Sequence, residues 1–215
     1  MHTLTCRLVR QFAGIIVIAI MLLTAQLLPA ERTSAAVSIA VSPTNGTVGT
    51  TVTVTGTVDA NGNSFEIQWD GTVIASGAAP SGSTSVTTSF IVPNATAGAH
   101  TITLKDTVSL GSSSTTFTVV PSVTISPTSG PVGTQVTVTG KGFAASETGI
   151  SLSYGTTAID YAVIVDSTGS WSAQFNVPDS PSGTAHTITA TRSSGTTVTS
   201  SQNFTVIPSL TISPT

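Results

Sequence analysis

Few residues in this chain could do chemistry, and one group to consider is a short run rich in acid and amide side chains. Asp59, Asn61 and Asn63 alternate in the stretch DANGN, which resembles the start of a calcium-binding loop. The sixth position of such a loop requires glycine, but Ser64 stands there. The next carboxylate, Asp70, follows FEIQW, which alternates like a strand and would carry it away. The run is a calcium candidate, and a turn between two strands is the favoured interpretation because Asn, Asp and Gly suit turns.

Two tryptophans are candidates for stacking on sugar rings. An exposed Trp69 or Trp171 could offer its flat face to a saccharide, as in carbohydrate-binding modules. Trp69, however, shares the apolar side of its predicted strand with Phe65 and Ile67. Trp171 likewise shares parity with Phe175. The alternation therefore favours two core tryptophans over a sugar-binding pair.

Catalysis finds little support in the sequence. A hydrolytic triad needs a nucleophile, a histidine and an acid. The histidines are His2, His100 and His186, and the last two begin matching copies of the stretch HTIT. No nucleophile motif lies near either copy, so we expect both to pack and form hydrogen bonds where a strand starts. The sequence predicts no catalytic residue and no cofactor, and His, Cys and acidic residues nowhere show metal-ligand spacing.

Charge excludes one class of partner. Charged residues make up 7% of the chain, against roughly 25% in ordinary soluble domains, and serine and threonine take their place. The chain holds only six lysines and arginines and has a net charge of −3. Such a surface neutralises few phosphates, so we expect no nucleic-acid partner.

The N-terminus has the composition of an export signal. Arg7 and Arg10 precede an uncharged apolar run, residues 12–30, and the small-residue stretch TSAA follows at 33–36. This order is typical of a secretory signal peptide, with the mature chain beginning near Val37. An uncleaved anchor is the alternative, since about 20 apolar residues can span a bilayer. Both interpretations predict that the rest of the chain is extracellular, either secreted or attached to the cell surface.

Beyond the leader, apolar and polar residues alternate in short runs. In TVTVTGTV, residues 51–58, the valines share one side and the threonines the other, which is the pattern of a half-buried strand. Runs of this kind recur between turn-forming clusters, and no amphipathic helix pattern interrupts them. About seven such strands per copy predict an all-β fold, with tandem immunoglobulin-like β-sandwich domains after an N-terminal signal helix. Gly56 and Gly140 interrupt matching strands, so we expect a bulge or a close backbone approach at each.

A long internal repeat organises the chain. SPTNGTVGTTVTVTG at 42–56 returns as SPTSGPVGTQVTVTG at 126–140, and SPT appears again at 213–215. The repeat is about 85 residues long, which is enough for an independent domain. We therefore expect the chain to be the start of a longer array, divided into a signal peptide or anchor (1–36), repeat 1 (37–120), repeat 2 (121–207) and the first strand of a truncated third repeat (208–215).

The stretch SPTSGPVGTQVTVTGKGF, residues 126–143, resembles the start of the IPT/TIG family of immunoglobulin-like domains. It is similar in particular to the versions found in bacterial cell-surface proteins. The first copy departs from the pattern, because Thr47 replaces Pro131 and no GF pair follows Gly56. The resemblance implies the sandwich fold and says little about function, since this fold carries many unrelated roles.

These observations predict a non-catalytic extracellular protein with a structural or adhesive role, such as a stalk, a cell-envelope component or an adhesin rod. The junction between repeats contains Pro121 and Ser122 and is short, which favours a stiff connection. Partners of this class are cell-envelope components, other surface proteins or glycans. The alternative functions are a carbohydrate-binding module and an accessory region of a secreted enzyme.

Overall fold

The computed structural model describes residues 36–209, and these residues form strands, turns and loops without a helix. Within this range, therefore, no helix could cross a membrane. The strands fall into two groups, each enclosing its own hydrophobic cluster. The predicted signal helix and the predicted strand at 208–215 lie outside the described residues, apart from Ala36, Pro208 and Ser209.

The first group of strands, called the first sandwich, covers residues 38–119. Its strands are β1 (Ser38–Ser42), β2 (Asn45–Gly46), β3 (Thr51–Thr57), β4 (Ser64–Trp69), β5 (Thr72–Ala78), β6 (Ser85–Ile91), β7 (Gly98–Asp106) and β8 (Ser112–Val119). They form one sheet in the order β1-β3-β6 and a second in the order β2-β8-β7-β4-β5.

The second group, called the second sandwich, covers residues 122–206. Its strands are β9 (Ser122–Ser126), β10 (Ser129–Gly130), β11 (Gln135–Lys141), β12 (Ile150–Tyr154), β13 (Thr157–Val163), β14 (Trp171–Asn176), β15 (Ala185–His186), β16 (Ile188–Thr191), β17 (Thr197–Thr199) and β18 (Phe204–Val206). The sheet orders are β14-β11-β9, β13-β12-β16-β17 and β10-β18-β15. This confirms the predicted fold class of immunoglobulin-like sandwiches.

Alternation along the strands builds both cores. In β3, Val52 and Val54 are fully buried while the threonines between them face solvent. Val136 and Val138 repeat this arrangement in β11. Burying apolar surface contributes roughly 25 cal/mol per Å². With no cysteine in the described residues, packing and hydrogen bonding stabilise each core.

The first strand of each sandwich ends at a proline and crosses to the other sheet. β1 pairs antiparallel with β3 and ends at Ser42, immediately before Pro43, which has no N–H to donate to the ladder. β2 then pairs parallel with β8 in the opposite sheet. In the second sandwich β9 and β10 do the same on either side of Pro127, and β10 pairs parallel with β18.

The two strand glycines confirm the predicted close approach. A Cβ added at Gly56 would lie 2.0 Å from the carbonyl oxygen of Ser38, and one at Gly140 would lie 2.1 Å from the indole of Trp171. Both distances are shorter than any real contact, so neither position accepts a side chain without a shift.

Candidate functional site

The calcium candidate lies in the loop between β3 and β4, where hydrogen bonds within the protein engage it. The side-chain amide of Asn63 donates to Oδ2 of Asp106 at 2.7 Å, and the hydroxyl of Ser109 donates to the Asp59 carboxylate. Asn61 is exposed. Asp70 lies at the far end of β4, as the strand pattern predicted. Residues 36–209 contain no group of three or more His, Cys, Asp or Glu side chains placed to hold a metal ion.

Asp106 organises this end of the first sandwich, and sequence reasoning missed it. Its carboxylate is fully buried and accepts the backbone N–H groups of Asp59 (3.1 Å), Val108 (2.8 Å) and Ser109 (3.0 Å), besides the Asn63 amide. Burial raises the pKa of Asp106, but these hydrogen bonds outweigh it and lower the pKa to about 2. The available signal was an aspartate at the end of a strand, immediately before a turn, where Asp commonly accepts backbone N–H groups.

Trp171 is a core residue of the second sandwich. Its side chain is buried, lies against the bare backbone of Gly140 and meets the ring of Phe143 edge-on at 5.5 Å. The indole Nε1 finds no hydrogen-bond partner among the described residues. Because both faces of the ring are buried, Trp171 offers no platform to a sugar.

Trp69 is also buried, at 6% exposure, and a histidine covers one of its faces. The His100 ring stacks on the indole at 4.8 Å between centroids and 21° between planes. Phe90 and Phe117 approach the indole at 6.0 Å and 5.9 Å. Sugar stacking on the face of Trp69 is therefore blocked in this arrangement, although part of the residue lines a surface cavity.

His100 has the packing and hydrogen-bonding role that the sequence predicted. Nε2 lies 2.9 Å from the carbonyl oxygen of Thr96, and Nδ1 lies 2.7 Å from Oδ2 of Asp70. A carbonyl and an ionised carboxylate only accept, so the ring makes both hydrogen bonds when both nitrogens carry protons. Burial raises the pKa of Asp70, but the hydrogen bonds from His100 and from the Thr101 N–H outweigh it and lower the pKa.

The second sandwich repeats the stack without the carboxylate. His186 lies on the Tyr154 ring at 4.3 Å and 21°, and its Nε2 lies 2.9 Å from the Thr184 hydroxyl. Gly155 follows Tyr154 as Asp70 follows Trp69. Only the first of the two stacks therefore carries a charged partner.

The two sandwiches meet through backbone contacts. The N–H of Ala97, in the loop before β7, donates to the carbonyl oxygen of Phe143 at 3.0 Å. Gly169 fits between Phe143 and the same loop, since a Cβ there would clash with the carbonyl oxygen of Phe143 and lie 3.0 Å from Cα of Thr96. Gly142 similarly faces the carbonyl of Val120. We call residues 142–143 and 169 the plug and residues 93–97 the seat.

An ion pair braces the plug from within the second sandwich. Arg192 donates to Glu147 from Nη2 at 2.7 Å and from Nε at 2.9 Å, and its guanidinium lies 5.8 Å from the centre of the Phe143 ring. The hydrogen bond from Arg192 lowers the pKa of Glu147 despite burial, and the same bond raises the pKa of Arg192. Bidentate pairing of this kind holds the 142–149 loop in one geometry.

Asp166 stabilises the turn that contains Gly169, the other residue of the plug. Oδ1 of Asp166 accepts the N–H groups of Thr168 at 2.8 Å and Ser170 at 2.9 Å. The hydrogen bond from Ser170 and those from Thr168 lower the pKa of Asp166. Gly169, with φ of +80°, sits inside this turn.

A cavity of about 430 Å³ opens beside the plug and the seat. Trp69, Asp70 and His100 contribute from the first sandwich, and Ser167 and Thr168 contribute from the second. The remaining lining residues come from β5 and the seat: Thr72, Ile74, Pro93, Asn94, Ala95 and Thr96. Sequence reasoning named Trp69 but could not place the other elements around it.

Residues 122–206 match the family model of the IPT/TIG domain. No curated protein matches the chain. Among solved structures, the chain is similar to the BSP domain of a biofilm-associated protein, with 22% identity and a TM-score of 0.29. It is also similar to SGBP-B of the Bacteroides ovatus mixed-linkage glucan utilization locus in complex with a heptasaccharide (17%, 0.35), and to SGBP-B from a Bacteroides uniformis xyloglucan utilization locus (18%, 0.29).

These three similarities cover 84%, 84% and 80% of this chain. In the same order, the chain spans only 30%, 47% and 49% of the three solved chains.

Proposed function

We propose that the chain, whose residues 122–206 match the IPT/TIG family model, is a non-catalytic structural or adhesive repeat region of a longer, extracellular surface protein. In this role it is a stalk, a cell-envelope component or an adhesin rod. Residues 37–120 and 121–207 are its two modules, and residues 1–36 direct export. The partners are envelope components, other surface proteins or glycans.

The junction between the sandwiches is the observation that carries this proposal. A flexible Gly/Ser linker would let two modules turn independently. Here, instead, the Ala97 N–H bonds to the Phe143 carbonyl, and Gly169 lies against the backbone of the seat. A backbone contact of this kind keeps a fixed angle between modules, which is the property that a spacer requires.

The plug also explains a difference between the copies. The K-G-F stretch at 141–143 supplies Gly142 and Phe143, and the first copy has no GF pair after Gly56. The KGF stretch therefore serves docking onto a preceding module, in addition to closing its own sandwich.

Spin-label distances test the proposal. The chain has a single cysteine, Cys6, within the leader, so Ser85→Cys and Ser172→Cys label one exposed strand position in each sandwich after export. We expect one narrow distance distribution in the purified, exported chain. A broad distribution would mean that the modules move independently, and it would overturn the spacer role.

A matched pair of glycine variants isolates the plug. Gly169→Ala and Gly195→Ala both place a side chain at positive φ, +80° and +84°, but only Gly169 has neighbours within 4 Å. We expect Gly169→Ala to broaden the distance distribution and Gly195→Ala to leave it narrow. Equal broadening in the two variants would remove the plug as its cause.

A further inference from the structure

The cavity beside Trp69 has a lining that a spacer does not need. Its volume, about 430 Å³, falls within the roughly 300–1,000 Å³ typical of small-ligand sites. We infer that it binds a neutral saccharide unit, which adds a ligand to the proposed role. The inference rests on the docked junction of the proposed function, because Ser167 and Thr168 complete the cavity from the second sandwich.

The floor of the cavity is apolar. Ile74, Pro93 and Ala95 line it together with Trp69. His100 stacks on the Trp69 indole, so a ligand meets the outer part of the side chain rather than its stacked face. The C–H faces of a pyranose ring are apolar, and they suit a floor of this composition.

The rim carries hydrogen-bonding groups suited to hydroxyls. Asn94 is exposed and can both donate and accept. Thr168 of the second sandwich and Thr72 of the first also line the cavity and contribute hydroxyls. Asp70 bonds to His100 and Thr101, but its side chain is 48% exposed, and a carboxylate has about four lone-pair sites. It therefore retains acceptor capacity for a sugar hydroxyl.

Charge selects against anionic ligands. The lining includes no lysine or arginine, and its basic side chain, His100, is hydrogen-bonded to the Asp70 carboxylate, which brings a negative charge to the rim. Phosphate and uronate groups are bound mainly by arginine and lysine, often through bidentate pairs. The cavity therefore favours neutral hexose or pentose units over acidic sugars.

Nuclear magnetic resonance gives a test with an internal control. The chain has two tryptophans, Trp69 in the cavity wall and Trp171 in the second core, so it has two indole N–H signals. The exported chain is titrated with maltohexaose, cellohexaose and xylohexaose, and with hexagalacturonate as the acidic probe. We expect a neutral probe to shift the Trp69 signal saturably, while the Trp171 signal stays fixed and hexagalacturonate shifts neither.

Three variants test whether the ligand binds in this cavity. Asn94→Ala should weaken binding about three- to tenfold, the loss of one hydrogen bond, whereas the equally exposed Asn203→Ala should not change it. Ser167→Trp should abolish binding by filling the cavity. The inference is overturned if no neutral probe moves the Trp69 signal, or if Ser167→Trp binds as tightly as the unaltered chain.

The same sample separates this inference from the proposed function. A narrow spin-label distribution without saccharide binding overturns the ligand and leaves the spacer role intact. A broad distribution overturns the spacer role and, with it, the docked cavity.

Discussion

The two sandwiches use different side chains at equivalent positions of the fold. Asp106 and Arg192 follow the two stacked histidines, His100 and His186, by the same interval. In the first sandwich Asp106 collects backbone N–H groups and an amide, while in the second Arg192 pairs with Glu147. Both arrangements tie two loops together at one end of a sandwich. Each sandwich therefore has a polar cross-link at this place, centred on an aspartate in the first and on an arginine–glutamate pair in the second.

The matching strand glycines, Gly56 and Gly140, also contact different groups in the two sandwiches. Gly56 accommodates the backbone of Ser38, with Val86 opposite it in the sheet. Gly140 accommodates the indole of Trp171, which takes the place of Val86. One sequence feature, a glycine at the end of the VTVTG strand, thus serves two kinds of packing.

We expect the largest change in stability from a substitution that disrupts the contact between Gly140 and Trp171. Gly140→Ala places a methyl group 2.1 Å from the Trp171 indole, so we expect a loss of about 3 kcal/mol from the free energy of unfolding of the second sandwich. Urea unfolding followed by the two indole N–H signals reports each sandwich separately.

A second substitution tests the cause of that loss. Trp171→Val copies the residue that faces Gly56, and it should recover part of the loss in the Gly140→Ala background. Because this variant lacks the Trp171 indole, unfolding of the second sandwich is followed by its backbone amide signals. Additive losses in the double variant would show that the indole is not the obstacle.

The next largest change in stability is expected when the buried carboxylate of Asp106 is replaced. Asp106→Asn removes the charge from several hydrogen bonds, and we expect the first sandwich to lose about 2 kcal/mol of unfolding free energy at pH 7. Asp179→Asn, at an exposed position, is the control and should change little.

The pH dependence follows from the lowered pKa of Asp106. A carboxyl group whose pKa is lower in the folded protein stabilises it above the unfolded pKa, about 4, and that contribution is lost as the pH falls towards about 2. The unfolding free energy of the first sandwich, measured with the Trp69 indole signal, should therefore fall less steeply below about pH 4 in Asp106→Asn than in the unaltered chain. If the pH dependence of the unfolding free energy is the same in Asp106→Asn, other groups cause the loss of stability in acid.

A smaller effect, of opposite sign, is expected at Tyr154. Its hydroxyl is buried without a hydrogen-bond partner among the described residues. Removing an unsatisfied polar group relieves a desolvation cost, so Tyr154→Phe should stabilise the second sandwich by about 1 kcal/mol. A clear loss of stability in thermal unfolding would mean that the hydroxyl has a partner, such as a bound water.

The smallest expected effect compares the two histidine stacks. Asp70→Asn should cost the first sandwich about 0.5 kcal/mol at pH 7, since the carboxylate is half exposed and screened by solvent. That cost should disappear as the pH falls through the lowered pKa of Asp70.

The reciprocal change sharpens the comparison. Gly155→Asp places a Cβ 3.3 Å from Nδ1 of His186, at a φ of +57° that resembles the +47° of Asp70. We expect it to create a second Asp–His contact, visible as a change in the His186 ring signals. Unchanged ring signals would show that no Asp–His contact forms at this position.

Local patterns predicted the parts of the fold that depend on neighbouring residues. The alternation of the valines around Val52 and the close approach at Gly56 are both properties of short segments. Parity along a strand was also enough to predict that Trp69 and Trp171 are buried.

The site depends instead on which distant loops meet. Asn63 and Asp106 are 43 residues apart, and Glu147 and Arg192 are 45 apart. Turn-forming residues at each place were visible, but their pairing was not, because turn chemistry does not specify a partner loop. The plug was equally hidden, since K-G-F looks like the end of a strand.

The crossing of the first strand has a mechanical consequence. Thr118 and Val120 donate their N–H groups to the carbonyls of Thr44 and Gly46 at 2.9 Å, which ties the opening segment of the first sandwich to its closing strand in parallel. Tension applied along the chain pulls these two segments in opposite directions, so it loads the bonds in shear, all at once, rather than peeling them one by one. The second sandwich has the same parallel pairing between β10 and β18, so tension would load the corresponding bonds of each module in shear.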